Sequence, residues 1–399
     1  MWTIMKERVS ALYPEMVRWR RHLHQYPELS YREDSTSSFV ADKLKEFGIE
    51  AKTGIGGYGV TALIHSGQPG PTVALRADMD ALPIQDDKSC SYASKVPGVM
   101  HACGHDGHTA ALLGAAKVLV ETKERWKGSV KLIFQPAEEV APGGAKAMIE
   151  DGVLDGVDEI FGVHLWTPLS AGIVATRSGP FMASVDDFDL EIRGRGGHGG
   201  LPHETVDSLI VAAHLAVNLQ TVVSRSLNPI RPGVVTLATL QAGSNSYNVI
   251  PDRAVLKGTV RTFDADSRKL ARERVETIIR DTCSMFGAEY TLTYKVGYPP
   301  VVNTPAETER VLAAAAAVLG PDAVQEAEMT MPAEDFSHYL ERIPGCFLFV
   351  GAGGEGASYP HHHPLFDLKE EAMAQAALVL LSAAMSRTID LPKIEQEQE

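Results

Sequence analysis

Several features that would place this chain in a special class are missing from it. No stretch approaches the roughly 20 consecutive apolar residues of a membrane-spanning helix, and no tract is repetitive or of low complexity. Basic residues are outnumbered, 37 Lys and Arg against 51 Asp and Glu, for a formal net charge of -14. They form no run, which argues against nucleic acid or an anionic membrane surface as a partner. Cysteine occurs only four times, as Cys90, Cys103, Cys283 and Cys346. That scatter does not suit a disulfide scaffold and fits a reducing cytoplasm. Residues 1–10 carry Lys6, Glu7 and Arg8 with no apolar run behind them, so neither a signal peptide nor an anchor is expected. A polar tail after about Leu391 is expected to fray. What is present is 399 residues with 44% hydrophobic content, too long for one ordinary core and suited to two domains.

Periodicity divides the chain. Val9, Leu12, Met16, Trp19 and Leu23 predict a helix over 5–25, and a second helix over 35–47 is stopped by Gly48. Strands are expected at 59–65, 72–76, 129–134 and 159–163, with helices at 109–121 and 145–151 between them. Such alternation predicts an α/β fold with an open, mostly parallel sheet covered by helices on both faces. Residues 184–297 break the pattern. They read as strand (185–192), helix (206–223), strand (234–240), strand (254–262), helix (267–285) and strand (290–296), a ferredoxin-like β-α-β-β-α-β order. The first pattern resumes with a helix at 307–319, a strand at 346–350 and a closing helix at 370–385. The expected domains are therefore 1–183 with 298–399, and an inserted 184–297.

Ligands of parallel α/β sheets bind beyond the carboxyl ends of the strands, and the chemically distinctive residues cluster there. Residues 100–108 read Met-His-Ala-Cys-Gly-His-Asp-Gly-His. If this segment is extended, Cys103 and His105 leave the same face of the backbone, as two ligands of one ion must. Asp78 and Asp80 follow one strand, Gln-Pro-Ala-Glu-Glu (135–139) follows another, and His164 follows a third. Adjacent glutamates in a turn point in different directions, so one of Glu138 and Glu139 can bind metal while the other works on water. His361, His362 and His363 supply a late histidine. Donors of this kind, with one thiolate among them, suit Zn²⁺, with Mn²⁺, Co²⁺ or Ni²⁺ as alternatives. Two ions sharing a bridging group would use five of them.

Over nearly its whole length the chain resembles the two-metal amidohydrolases that include aminoacylases, hippurate hydrolases, amino-acid carboxypeptidases and indole-acetyl-amino-acid hydrolases. The likeness runs through Arg-Arg-His-Leu-His-Gln-Tyr-Pro-Glu-Leu (20–29), Arg-Ala-Asp-Met-Asp-Ala-Leu-Pro (76–83), His-Ala-Cys-Gly-His-Asp (101–106) and Gln-Pro-Ala-Glu-Glu. It continues through Gly-Val-His (162–164), Gly-Gly-His-Gly-Gly-Leu-Pro-His (196–203), Asn-Val-Ile-Pro-Asp (248–252) and Glu-Asp-Phe (334–336).

The resemblance implies a zinc-peptidase-like catalytic domain whose inserted domain acts as a lid and pairs with its copy in a homodimer or tetramer. It implies Cys103, His105, Glu139, His164 and His362 as ligands of two divalent ions, and Glu138 as general base. His198 is implied to stabilise the oxyanion, reaching in from the partner subunit. Asn248 and Arg261 would hold the substrate carboxylate, and Asp78 and Asp80 would orient ligands. The chain departs from the family pattern in its triple histidine, which keeps His361 and His363 open as ligands. It departs again at Pro332-Ala333, where a glycine-containing pair is commoner. The implied reaction is hydrolysis of the amide bond of N-acyl amino acids or short peptides. Alternatives are a dedicated deacetylase of an intermediate such as N-acetyl-diaminopimelate, and a metal- or peptide-binding protein without turnover.

Overall fold

The computed structural model describes residues 1–388, and the tail expected to fray lies outside them. The chain forms two compact units. One comprises Met1–Phe181, Val302–Glu328 and the chain from Asp335 onward; the other is Met182–Val301 with Met329–Glu334.

The first unit is built on an eight-stranded sheet. Its order is Ala51–Ile55, Gly59–His65, Ser129–Gln135, Thr72–Asp78, Glu159–Ser170, Gly345–Gly353, Val174–Thr176 and Val324–Glu326. The central neighbours, from Ser129–Gln135 to Gly345–Gly353, run parallel. Parallel strands covered on both faces read as continuous apolar runs rather than alternations, and Leu75, Leu132, Phe134, Phe161 and Leu348 are accordingly fully buried. Helix His105–Glu121 packs between Trp2–Gln25 and Glu371–Met385. Being enclosed, it is buried on nearly every side.

Three differences from the expected elements have physical causes. Ala51–Ile55 was not expected because it is a mostly exposed edge strand with no buried residue to mark a period. Glu159–Ser170 runs well past Val163, where Thr167 and Pro168 hide its continuation. It pairs with Gly345–Gly353 through an irregularity at Gly351 and Gly353, where an added Cβ would sit about 2 Å from the carbonyls of Ser170 and Thr167. The expected extended segment through Cys103 and His105 is corrected. Gly104 takes a left-handed φ of 96°, and the helix starts at His105 rather than at 109. A turn, not a strand pleat, brings the two side chains together.

The second unit is ferredoxin-like. Its antiparallel sheet has the order Gly233–Ala242, Arg253–Thr262, Asp186–Arg193, Glu289–Val296, backed by Ser208–Asn218 and Ala265–Phe286. Phe188, Leu190, Ile192, Leu256, Val275 and Ile279 form its core. Gly258 is required there, because a Cβ would meet the Phe188 ring at 2.5 Å. Asp207 caps the first helix by accepting from the amides of Leu209 and Ile210. That cap starts the helix two residues later than its apolar period does.

Behind the sheet edge lies a buried arginine. Arg20 donates to Asp106 Oδ2 at 3.0 Å, Asp367 Oδ1 at 2.6 Å and Glu370 Oε1 at 3.1 Å. It thereby joins the first helix to the first turn of His105–Glu121 and to the segment preceding the last helix. Replacing Arg20 by Met would leave Asp106 and Asp367 without their guanidinium, while Glu370 would keep Arg21. The expected destabilisation is about 3–5 kcal/mol, read as a lowered thermal midpoint; an unchanged midpoint would show that the three acids do not need it.

Candidate metal centre

The first unit gathers the donors at the carboxyl ends of its central strands. Donor atoms of Cys103, His105 and Glu139 lie within 4.8 Å of one another, and so do those of Cys103, His164 and His361. Cys103 belongs to both groups, and its Sγ stands 3.4 Å from His164 Nε2.

Protein contacts orient the imidazoles. His164 Nδ1 is 3.0 Å from the Leu165 carbonyl, which can only accept, so Nδ1 carries the proton and Nε2 presents its lone pair beside Cys103. His105 Nδ1 faces Asp80 Oδ1 at 3.2 Å, which turns its Nε2 toward Glu139 Oε1, 3.8 Å away. His362 Nε2 reaches the same oxygen at 3.4 Å. His361 differs: its Nε2 accepts from the Thr167 amide at 3.2 Å, and its ring stacks on Trp166 with centroids 4.7 Å apart. His363 Nδ1 accepts from the Leu365 amide at 3.0 Å, and its ring stacks on Tyr359.

The carboxylates are equally tied. Asp80 Oδ2 accepts from the Glu139 amide at 3.0 Å. Asp78 binds His108 Nδ1 at 2.6 Å and Arg76 Nη1 at 2.5 Å. Burial raises the Asp78 carboxyl, but His105, Arg76 and His108 outweigh it and hold it well below the usual carboxylate range. Burial lowers His105, yet Asp78, Asp80 and Glu139 push it up to about 10. Cys103 goes well above an ordinary thiol through burial and the charges of Glu139, Glu138 and Asp78. Glu138 is buried on the turn before Glu139, and its Oε1 lies 3.4 Å from the Asp335 amide.

These residues fit divalent cations. His105 Nε2 and Glu139 Oε1 are buried with no hydrogen-bond partner, and a thiol surrounded by carboxylates ionises readily only beside added positive charge. The donor set of one thiolate, imidazoles and a carboxylate suits a borderline metal.

Of the residues singled out from sequence, the first unit brings together Cys103, His105, Glu138, Glu139, His164, His361 and His362, with Asp78 and Asp80 behind them. His198 and Asn248 line one open cleft of about 1070 Å³ in the second unit. Arg261 is not among the residues of that cleft; its Nη1 donates to the Met331 carbonyl at 3.1 Å. Sequence reasoning gave no role to His108, which donates to Asp78 while its Nε2 accepts from the Leu165 amide at 2.8 Å, locking two strands together. Its position three residues after His105 on one helix was the available signal. Arg76, whose guanidinium also reaches Gln135 and Asp335 at 2.9 Å each, was given no role either, although it opens the 76–83 stretch.

A mostly parallel sheet carrying a cluster of thiol, imidazole and carboxylate donors at its edge, with a ferredoxin-like unit inserted, defines a metal-dependent hydrolase. The chain belongs to Peptidase family M20/M25/M40, whose family model matches residues 74–386. It is 44% identical over 299 residues to the N-acyl-L-amino acid amidohydrolase of Geobacillus stearothermophilus, covering 75% of this chain and 80% of that one. It is 40% identical over 379 residues to thermostable carboxypeptidase 1 of Saccharolobus solfataricus, covering 94% and 95%. Among solved structures it matches the Bacillus subtilis YXEP protein, a dinuclear metal binding peptidase of the M20 family. That match has a TM-score of 0.82 and 37% identity over 95% of this chain and 99% of the other.

Prolonged chelation should therefore abolish hydrolysis, and divalent ions should restore it. Full activity in protein shown by elemental analysis to be metal-free would contradict this.

Proposed function

We propose that the chain hydrolyses the amide bond of N-acyl amino acids, or the carboxy-terminal bond of short peptides, releasing a free amino acid. The observation that carries this reading is the place of Cys103, grouped with the donor atoms of His105 and Glu139 and 3.4 Å from His164 Nε2, with Glu138 next to Glu139. Cys103, His105, Glu139, His164 and His362 would hold two divalent ions, with Zn²⁺ favoured and Mn²⁺, Co²⁺ or Ni²⁺ as alternatives. His362 is favoured over His361 because its Nε2 faces Glu139 Oε1 at 3.4 Å, whereas the Nε2 lone pair of His361 is taken by the Thr167 amide and only its Nδ1 is without a partner. In a neutral ring the other nitrogen then holds the proton.

When bound, such ions polarise the amide carbonyl and acidify water. Glu138 takes the proton of the attacking water and returns it to the leaving amine. Asp80 and Asp78 keep the imidazoles oriented. His198 would donate to the oxyanion: the Gly200 amide donates to His198 Nδ1 at 3.0 Å, which leaves Nε2–H as an outward donor on an exposed loop. That donor would come from the partner's second unit in a homodimer or tetramer, the second unit serving as lid and dimerisation domain. Arg261, half-buried with its Nη1 donating to a backbone carbonyl, and Asn248 would hold the substrate carboxylate. The four free cysteines support a reducing cytoplasm. No helix among the described residues is long and apolar enough to cross a membrane.

N-acetyl, N-benzoyl and dipeptide substrates assayed side by side test the substrate class. Turnover of N-acetyl-diaminopimelate alone would favour the narrow deacetylase, and no turnover with bound metal the binding protein. Glu138→Gln should keep its metal and lose about 10²- to 10⁴-fold in kcat, whereas Glu139→Gln should lose metal. Both variants keeping their ions, with only Glu139→Gln inactive, would reverse the assignment. His198→Ala should lower kcat by roughly 10²- to 10³-fold with little effect on metal content. Mixed dimers of His198→Ala with Glu138→Gln should regain activity; mixed dimers no better than the two variants alone would count against delivery in trans. Asp80→Asn should weaken metal binding about 10- to 100-fold, measured by competition with a chelator.

A further inference from the structure

The turn that carries Glu138 and Glu139 is held in an unfavourable backbone conformation. Ala137 sits at φ 53°, in the left-handed region that an alanine ordinarily avoids. Whatever keeps it there also aims both glutamates.

The holding groups come from one short segment, residues 28–33. Glu33 is fully buried, and its Oε1 accepts from the Ala137 amide at 2.8 Å and from the Tyr31 amide at 3.0 Å. Two residues earlier, the Tyr31 hydroxyl donates to the Val140 carbonyl at 3.0 Å and accepts from the Gly143 amide at 3.2 Å. Ser30 donates at 2.6 Å to Asp80 Oδ2, the oxygen that also receives the Glu139 amide. The loop is thus gripped at 137, at 139 by way of Asp80, and at 140 and 143. The segment is itself anchored. The Glu28 carbonyl accepts from the Ala81 amide at 2.8 Å, and the Glu33 carbonyl accepts from the Ser37 amide at 2.8 Å in the first turn of Asp34–Glu46. Tyr31 also takes a positive φ, 64°, so both sides of the contact spend conformational freedom on it.

We infer that Ser30, Tyr31 and Glu33 form a clamp that positions the 137–139 turn, making Glu33 and Tyr31 positioning residues for the reaction although neither belongs to a donor group. This rests on the reading of Glu138 as base and Glu139 as ligand. Glu33 supplies the acceptor that keeps the Ala137 amide turned inward; without it that amide is buried and unpaired, and the turn can relax toward a negative φ. A displacement of about 1 Å at a catalytic carboxylate can cost up to 100-fold in rate. The Glu33 side chain makes no capping hydrogen bond to its own helix, so removing it does not remove the helix start.

The test compares Glu33→Ala, Glu33→Gln and Tyr31→Phe with the parent enzyme for kcat, KM, metal per subunit under limiting metal, and thermal midpoint. Glu33→Ala should lower kcat about 10- to 100-fold, change KM far less, and bind less metal because Glu139 has moved. Glu33→Gln should recover most of that loss, since its amide carbonyl accepts the same two bonds. Tyr31→Phe removes only the hydroxyl of a half-exposed side chain and should lower kcat several-fold with KM and the thermal midpoint nearly unchanged. If Glu33→Ala does not fold, Tyr31→Phe carries the test alone. Parent-like kcat and metal content in Glu33→Ala, a glutamine no better than alanine, or an unaltered kcat in Tyr31→Phe would overturn the clamp. Glu138→Gln assayed alongside separates the two ideas. If it is inactive while the clamp variants match the parent, only the clamp falls. If it is fully active, the base assignment beneath the clamp falls.

Discussion

Negative charge crowded into a dry place is the constraint on which this structure depends. Asp78, Asp80, Asp335 and Glu138 are all buried at one edge of the sheet, and carboxylates brought so close repel one another and resist desolvation unless cations accompany them. Arg76 answers part of that demand from the end of a central strand. It reaches Asp78, Asp335 and Gln135 from a fully buried position. Arg20, also fully buried, does the same for Asp106, Asp367 and Glu370. Beside Asp78, Asp80 and Glu139 further positive charge comes from His105, which those carboxylates hold protonated, and the donors there suit divalent ions.

Hydrogen bonds on one ring nitrogen of His164, His105 and His361 convert this charge balance into orientation. The Leu165 carbonyl accepts from His164 Nδ1, Asp80 accepts from His105 Nδ1, and the Thr167 amide donates to His361 Nε2. Each ring therefore presents one defined nitrogen and cannot flip without losing a buried partner. His108 shows the same device carried to completion. Both of its nitrogens are engaged, and it serves to tie strand to strand. Rigidity of this kind is purchased by local strain. Tyr31, Ala137 and His362 are the three non-glycine residues with positive φ among the described residues. Each lies in a loop against the donor cluster, and such conformations cost of order 1–3 kcal/mol apiece.

Much of this was legible in the sequence because it is local. Alternating apolar runs and helical periods in 59–163 disclose a parallel sheet, and the break in pattern after Ser184 discloses the ferredoxin-like insertion. The convergence of Asp78, Cys103, His105, Glu138, Glu139 and His164 follows from the topology of any such sheet, since every strand end falls on one edge. The histidine triplet at 361–363 is equally plain as a supply of imidazole. Residue types, their order and the edge they share were thus determined by the sequence alone.

The sequence alone could not reveal how those residues face one another. Periodicity put Cys103 and His105 on an extended face, whereas a left-handed Gly104 and an early helix start join them through a turn. Nothing in His-His-His distinguishes its members; a backbone amide at Thr167, 194 residues away, takes up one ring, and a carboxylate oxygen of Glu139 faces the next. The grip of Glu33 on Ala137 spans 104 residues, and that of Arg76 on Asp335 spans 259. Such contacts have no period and no spacing to read. They exist only when the sheet has closed, because hydrogen bonding depends on direction in space, and direction is decided by tertiary packing.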